Sequence, residues 1–239
     1  MSNQQAITEM FDNISMHYDF LNHLLSLNID KLWRRRIAKT VAGFHPARIL
    51  DVATGTADLA IRLAKGNPEA HITGIDLSEQ MLRIGQEKVK KAGLESRIQL
   101  RQADAMSIPY SDSSFDAVTV AFGVRNFGNM RQGLEEIHRV VKDDGTVNIL
   151  EFSLPGRFPV KQVYSLYFNH LLPKIGQVVS KNASAYRYLP KSVQQFPKPS
   201  DFIQLMEEAG LFDIQVITFS GGIATGYCGL KMKSPSTSQ

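Results

Sequence analysis

Cysteine is almost missing from this chain. Cys228 is the only one in 239 residues, which excludes an internal disulfide and any cysteine-rich zinc cluster and fits a reducing compartment. No apolar run reaches the roughly 18 residues of a membrane span, and the start, Met1-Ser-Asn-Gln-Gln-Ala6, is polar. A soluble, cytoplasmic chain is the expectation. Neither sign of charge dominates: 27 Lys and Arg against 23 Asp and Glu give a formal charge of +4. That balance permits contact with nucleic acid or an anionic membrane face and requires neither. Glycine is scarce where a phosphate site would need it. The stretch Asp51-Val-Ala-Thr-Gly-Thr-Ala-Asp58 follows the apolar pair Ile49-Leu50 and precedes a helix-like run from Leu59 to Ala64. A dinucleotide fingerprint wants three glycines there, and the matching positions are Ala53, Gly55 and Asp58. An aspartate aimed at a phosphate would be repulsive.

What is present is an alternation of two periodicities. Short β-like runs occur at Arg48 to Val52, His71 to Asp76, Ile98 to Ala103, Phe115 to Ala121 and Thr146 to Phe152, and helix-like segments separate most of them. Such alternation predicts a parallel sheet covered by helices on both faces. Two later runs, Asp213 to Phe219 and Thr225 to Met232, are joined by a Gly-containing turn alone and predict an antiparallel hairpin closing the sheet. The expected fold class is therefore α/β: a Rossmann-like seven-stranded sheet, mostly parallel, with a C-terminal antiparallel hairpin. One domain over 1–239 is the default at this length. Two regions stand outside the repeat: residues 1–45, read as an N-terminal helical lid, and about 153–200, read as a substrate-pocket insertion. In the insertion Val160, Val163, Tyr164, Tyr167, Phe168, Leu171 and Leu172 recur at helical spacing, as a core stripe or as the wall of an apolar pocket.

A ligand without phosphate, or one carrying positive charge, removes the conflict at the loop. S-adenosylmethionine is such a ligand, and carboxylates at Asp51 and Asp58 then become favourable, although an acid in a helix first turn is a common placement in any case. Asp76 ends the second strand-like run 21 positions after Gly55, where a carboxylate can accept from both ribose hydroxyls of an adenosine. The third run ends in Ala103-Asp104-Ala105, where Asp104 could accept from an adenine amino group or simply open an Asx turn. Asp-x-x-x-Gly-Thr, Asp76 and Asp104-Ala105 together indicate a class I S-adenosylmethionine-dependent methyltransferase.

Six further segments narrow the reading: Tyr18-Asp-Phe-Leu-Asn22 with Leu32-Trp-Arg-Arg35; Phe122-Gly-Val-Arg-Asn126; Arg139 to Gly145; Leu150-Glu-Phe-Ser153; and Tyr186-Arg-Tyr-Leu-Pro-Lys-Ser192. Together they resemble the menaquinone and ubiquinone biosynthesis C-methyltransferases over about residues 10 to 230, nearest to the branch that methylates demethylmenaquinol. The resemblance implies C-methylation of demethylmenaquinol to menaquinol with S-adenosylmethionine as cofactor. The alternatives are a polyprenyl benzoquinol in ubiquinone biosynthesis, or another small molecule or RNA acceptor. It also implies that Thr56, Asp76, Asp104 and Ala105 contact S-adenosylmethionine. Two positions depart from the family pattern. Ala57 stands where a third glycine is usual, tolerable if its dihedrals are helical; Ala121 stands where some members have serine, leaving it only backbone contacts.

Transfer to a ring carbon requires a neighbouring phenolic hydroxyl to be ionised or nearly so, and a phenol near pKa 10 is mostly protonated at neutral pH. Arg125 is therefore expected to stabilise the quinolate and Asn126 to orient the ring, with a rim salt bridge as the structural alternative for Arg125. Tyr18, Asn22, Tyr186 and Tyr188 are the expected substrate-pocket residues. His17 is left unassigned, and no metal site is expected. The basic run Trp33-Arg34-Arg35-Arg36 with Lys31 and Lys39 reads as the solvated face of a helix with Trp33, Ile37 and Val41 inward, or as a peripheral contact with acidic lipid. Expected partners are thus a polyprenylated quinol and a membrane surface, without nucleic acid; a homo-oligomer is compatible with the sequence.

Overall fold

The computed structural model describes residues 9, 12, 26, 28–156, 158–166, 188 and 191–233. Within them seven strands form one sheet: β1 (Arg48–Val52), β2 (His71–Asp76), β3 (Ile98–Gln102), β4 (Phe115–Ala121), β5 (Val141–Phe152), β6 (Leu211–Phe219) and β7 (Ala224–Lys231). Their order is β3-β2-β1-β4-β5-β7-β6. The first five strands pair in parallel, and β7 runs antiparallel to both of its neighbours. The chain moves outward from β1 through β2 to β3, then returns to place β4 on the other side of β1. Strand order reverses between β1 and β4, and open α/β sheets bind ligands beyond the strand ends at such a point.

Helices cover both faces because each carries one apolar stripe. On one side lie α1 (Asp30–Ala42), α2 (Asp58–Gly66) and α3 (Glu79–Lys91), and their Trp33, Ile37, Val41, Leu59, Leu63 and Val89 pack with Ile49, Ile72 and Ala117. On the other side lie α4 (Met130–Val140) and α6 (Pro199–Glu208), which set Leu134, Ile137, Phe202 and Met206 against Leu50, Val118, Ile149 and Tyr227. Caps fix where the helices start. The Ser78 hydroxyl accepts the Met81 N–H at 3.1 Å to open α3, and the Asn129 side chain accepts the Gln132 N–H at 3.2 Å to open α4. Each such cap is worth about 1 kcal/mol.

The predicted strand limits agree closely for β1, β2 and β4. β5 differs: it begins at Val141, five residues before the expected Thr146. Val141 pairs with Phe115 and Thr146 with Ala117, so β5 spends five residue steps against two on β4. The excess is taken up in a bulge around Asp144, whose φ is 60°, and the Lys231 ammonium pins its start by donating to the Val141 carbonyl at 2.8 Å. In the 153–200 segment, α5 (Val160–Leu166) turns Tyr164 into the first core cluster. Tyr167, Phe168, Leu171 and Leu172 lie outside the described residues. Cys228 is buried, and its thiol is pushed up to about 11 by that burial.

Candidate functional site

Backbone conformation shapes the loop after β1. Ala53, Gly55 and Ala57 all have positive φ, at 52°, 55° and 65°. Alternating left-handed residues compress the turn, so that the Thr54 N–H reaches the Ile75 carbonyl at 2.9 Å and the Ala57 N–H reaches the Thr54 carbonyl at 3.0 Å. The helical dihedrals set as the condition for tolerating Ala57 are not what it adopts: it is left-handed, with ψ 21°, and sits at the N-cap of α2. Its methyl is fully buried in the core. A side chain is tolerated there against a backbone cost of roughly 1–2 kcal/mol.

Carboxylates surround this turn, each with its own bonding. Asp51, 1 % exposed, accepts the Thr54 and Thr119 hydroxyls, each at 2.7 Å. Burial pushes it up to about 6, opposed by those two bonds and by the charge of Arg34, and helped by Asp76. Asp76 Oδ2 accepts the Gly55 N–H at 2.8 Å and Oδ1 accepts the Ser78 N–H at 2.9 Å. Burial raises its carboxyl above the usual range against those bonds. Asp76 and Gly55, 21 positions apart, are therefore brought into direct contact. Asp58 opens α2 and pairs with the Lys88 ammonium, which also donates to the Thr56 hydroxyl at 3.1 Å. Asp104 accepts the Met106 N–H at 2.9 Å and so forms the Asx turn named as its alternative role; Ala105 behind it is buried in the second core cluster.

A cleft of about 340 Å³, mouth included, opens over this turn, lined by Arg34, Asp51, Ala53, Thr54, Gly55, Thr56, Asp58, Leu59 and Ala121. Of the expected cofactor residues, Asp51, Gly55, Thr56 and Ala121 line it together. Asp76 joins through its bond to Gly55, whereas Asp104 and Ala105, just past the end of β3, are not in the lining. The lining holds two acids and one guanidinium and no phosphate cradle, a donor set that fits a zwitterion bearing an extra positive charge. Those residues therefore fit S-adenosylmethionine.

The loop after β4 meets this turn from the other side of the switch point. Phe122 has φ 61°, and a Cβ on Gly123 would lie 2.5 Å from the Ala53 Cβ, so only glycine lets the two loops approach this closely. Phe122 stacks on Phe152, with ring centroids 4.4 Å apart, and Trp33 tilts against both at 6.3 Å and 6.2 Å. Arg125 follows in a 3-10 turn. Its side chain is 4 % exposed and its guanidinium is committed to Glu151, with Nη1 2.5 Å from Oε1, and to the Phe122 carbonyl at 2.6 Å. The rim salt bridge named as its alternative is a buried one. Its Nε is buried without a hydrogen-bond partner among the described residues. Asn126 is brought onto Tyr188, whose hydroxyl donates to the Asn126 Oδ1 at 2.8 Å; burial holds that phenol above its ordinary value. Tyr18, Asn22, Tyr186 and His17 lie outside the described residues.

Four contributors went unrecognised in the sequence. Glu151 is fully buried at the end of β5 and collects the Arg125 guanidinium, the Arg125 N–H at 3.3 Å and the Phe152 N–H at 2.9 Å. Lys88 offsets Asp58. Asp12 accepts the Ser78 hydroxyl at 2.5 Å, beside Asp76. Arg34 departs from the expected solvated face: Lys31, Arg35, Arg36 and Lys39 are exposed, but Arg34 is 8 % exposed and faces the cleft. Its spacing of four from Asp30, on the stripe of Ile37, Ala38 and Val41, was the available signal.

Comparison with known proteins adds to this geometry. A family model described as the ubiE/COQ5 methyltransferase family matches residues 1–231. A demethylmenaquinone methyltransferase of Porphyromonas gingivalis is 44% identical over 228 residues, covering 95% of this chain and 93% of that protein. A ubiquinone/menaquinone biosynthesis C-methyltransferase UbiE of Geotalea uraniireducens is 45% identical over 228 residues, covering 95% and 97%. Among solved structures, a putative S-adenosylmethionine-dependent methyltransferase of Methanococcus maripaludis matches with a TM-score of 0.67 at 21% identity, covering 94% of this chain and 95% of that one. The [4+2]-cyclase SpnF matches with a TM-score of 0.70 at 16% identity, covering 98% and 97%. These two likenesses show the fold alone, and the second shows that the fold does not dictate the reaction.

Proposed function

This chain belongs to the ubiE/COQ5 methyltransferase family, and from that premise we infer that it is an S-adenosylmethionine-dependent C-methyltransferase converting demethylmenaquinol to menaquinol. The observation that carries the substrate is the identity of 44% along nearly the whole chain to a protein named for that reaction. A benzoquinol acceptor is the second reading, favoured by relatives whose name includes ubiquinone.

S-adenosylmethionine, when bound, supplies a methyl group on a cationic sulfur. The cleft residues supply the rest. Asp76 already accepts the Gly55 and Ser78 N–H groups and remains a charged acceptor for the ribose hydroxyls. Asp51 adds negative charge under the turn, and the Thr56 hydroxyl is held by Lys88. Asp104 and Ala105 are proposed to border the adenine. The Phe122, Phe152 and Trp33 rings exclude water at the ends of β4 and β5, where alignment of the reacting atoms is most of what an enzyme can contribute to such a transfer.

The acceptor side rests on Asn126. Its carbonyl oxygen is engaged by the Tyr188 hydroxyl, which leaves the amide N–H groups as what it has to donate to an incoming ligand, the polarity that suits a phenolate oxygen. Arg125, neutralised by Glu151, positions that amide through the Phe122 carbonyl, to which both Arg125 and Asn126 donate. Tyr18, Asn22 and Tyr186 remain proposed pocket residues, with the lid read from the N-terminal segment and the 153–200 insertion proposed to border the acceptor.

A polyprenyl tail calls for a lipid surface near the site. Leu154 and Phe158, 54% and 80% exposed just past the end of β5, support a peripheral membrane contact there. No helix among the described residues is long and apolar enough to cross a membrane. The deciding experiment supplies labelled S-adenosylmethionine with demethylmenaquinol, the benzoquinol precursor, or oxidised demethylmenaquinone. A quinone has no hydroxyl to ionise and cannot push electron density onto the attacking carbon, so label should enter the quinols alone. Equal labelling of the verified quinone refutes the mechanism, and labelling of the benzoquinol alone replaces the menaquinol reading with the second one.

A further inference from the structure

We propose that Arg34 is the residue that reads the methionine carboxylate of S-adenosylmethionine, an inference that rests on the cofactor reading given above. The amino-acid end of that ligand is a zwitterion beside a sulfonium, so the site must offer opposite charges within a few ångströms. Acids are plentiful at the turn. Among the described residues lining the cleft, Arg34 is the single cation; Lys88, the neighbouring ammonium, is held on Asp58 and Thr56. A guanidinium is also the group whose planar donors match a carboxylate in paired bonds.

The position of Arg34 argues that it does more than pair with Asp30. Other i,i+4 pairs of this chain lie in solvent: Arg83 and Glu79 are 62% and 60% exposed, and Arg131 and Glu135 are 58% and 53% exposed. Arg34 and Asp30 are 9% and 1% exposed, a placement that removes two charges from water and needs compensation. Part of that compensation is internal. The Ser26 hydroxyl donates to Asp30 at 2.5 Å, and the guanidinium lies over the Phe122 ring at 5.0 Å. Asp30 engages Nη1, one corner of a fork with five N–H donors. Held by a carboxylate behind and a ring below, the guanidinium is pre-organised, and little rotamer freedom is lost when a ligand arrives.

Titration calorimetry on the full chain, with S-adenosylmethionine and its decarboxylated analogue as paired ligands, tests this. The wild-type protein should prefer S-adenosylmethionine by about tenfold or more, the weight of a charge-assisted pair. Arg34→Met should weaken S-adenosylmethionine by about tenfold or more while changing the decarboxylated analogue less than about threefold, and Arg34→Lys should recover part of the loss. Equal wild-type affinity for the two ligands overturns the proposal, whatever the variants do. So does a loss in Arg34→Met that is the same for both, which would make Arg34 a support for Asp30 and Phe122 only. Should Arg34→Met fail to fold, the wild-type preference and the Arg34→Lys variant decide. A wild-type chain that binds neither ligand overturns the cofactor reading itself, a result distinct from any of these.

Discussion

Acidifying the medium from pH 7 to pH 5 should weaken S-adenosylmethionine binding about tenfold, through Asp51. Burial lifts its carboxyl to about 6, so about nine-tenths is ionised at pH 7 and about one-tenth at pH 5. A cationic ligand held in the cleft favours the ionised form and must release the proton before it benefits from the charge. Calorimetry in two buffers of different ionisation enthalpy should therefore find about half a proton released per ligand at pH 6, rising as the pH falls. Stability of the empty protein runs the other way. The folded value lies above the unfolded 3.8, so this group's contribution is complete below about pH 4 and is lost as pH rises through about 6. At 1.36 kcal/mol per pH unit the loss is about 3 kcal/mol. Asp116 and Glu136 oppose this trend. Asp116 is held low by Lys142 despite its burial, and Glu136 by Arg139. The slope must therefore be read as the difference between wild type and Asp51→Asn. That variant should bind with a flatter pH profile and gain stability near pH 7, offset by whatever bonding with Thr54 and Thr119 it loses. An affinity that stays level between pH 5 and pH 7, or an unchanged slope in Asp51→Asn, refutes the assignment.

Three other perturbations follow from the same contacts. Ala57→Gly should raise the melting temperature by a few degrees, since releasing about 1–2 kcal/mol of left-handed strain exceeds the roughly 0.8 kcal/mol of one buried methyl; a fall in melting temperature would show that the methyl matters more than the dihedral. Glu151→Gln should cost about 3–5 kcal/mol in urea unfolding because it leaves the Arg125 guanidinium buried and uncompensated, and pairing it with Arg125→Met should restore much of that; a loss under about 1 kcal/mol would mean water already reaches the pair. Asp76→Ala should weaken S-adenosylmethionine by about 2 kcal/mol or more in calorimetry, and unchanged affinity would remove Asp76 from the ribose site.

The strand-end acids were legible because their chemistry is local. A carboxylate at the end of β2 and a glycine in the turn after β1 must lie together in any sheet that pairs those strands, and they do, at 2.8 Å. The hairpin was legible for a similar reason, since Gly221 and Gly222 between two β-like runs leave no room for a helix; both take positive φ. The early start of β5 was not, because Lys142, Asp143, Asp144 and Gly145 read as a turn; the sheet absorbs them only through contacts with Asp116 and Lys231, which are distant in sequence. The left-handed state of Ala57 was hidden for the same reason. Alanine prefers helical dihedrals, and only the tertiary demand of a turn squeezed between Ile75 and α2 overrides that preference. Arg34 was misjudged because Asp-x-x-x-Arg on a helix reads as a solvated pair, as Glu79 and Arg83 are in the same order of charge and Arg131 and Glu135 in the reverse order.

Arg125 is the position where sequence reasoning and structure diverge most, and the divergence changes the chemistry assigned to the acceptor side. A guanidinium between Val124 and Asn126 at the end of β4 reads as a charge delivered to the ligand. That requires donors turned to the ligand. Arg125 Nη1 is spent on Glu151 at 2.5 Å and on the Phe122 carbonyl at 2.6 Å, whereas Arg34, also paired to an acid, lines the cleft. The remaining work is mechanical. The pair fixes the Phe122 carbonyl, which is left-handed and cannot relax toward an ordinary strand without separating from Leu150, whose carbonyl accepts its N–H at 2.8 Å. Onto that fixed carbonyl Asn126 donates at 3.5 Å, and from the other side Tyr188 occupies its oxygen. A neutral amide with its polarity set by two neighbours needs no reorganisation when negative charge develops opposite it, which is the condition under which a hydrogen-bond donor contributes most to a transition state. On that ground stabilisation of the quinolate is proposed for Asn126, with Arg125 and Glu151 as the pair that holds it in place.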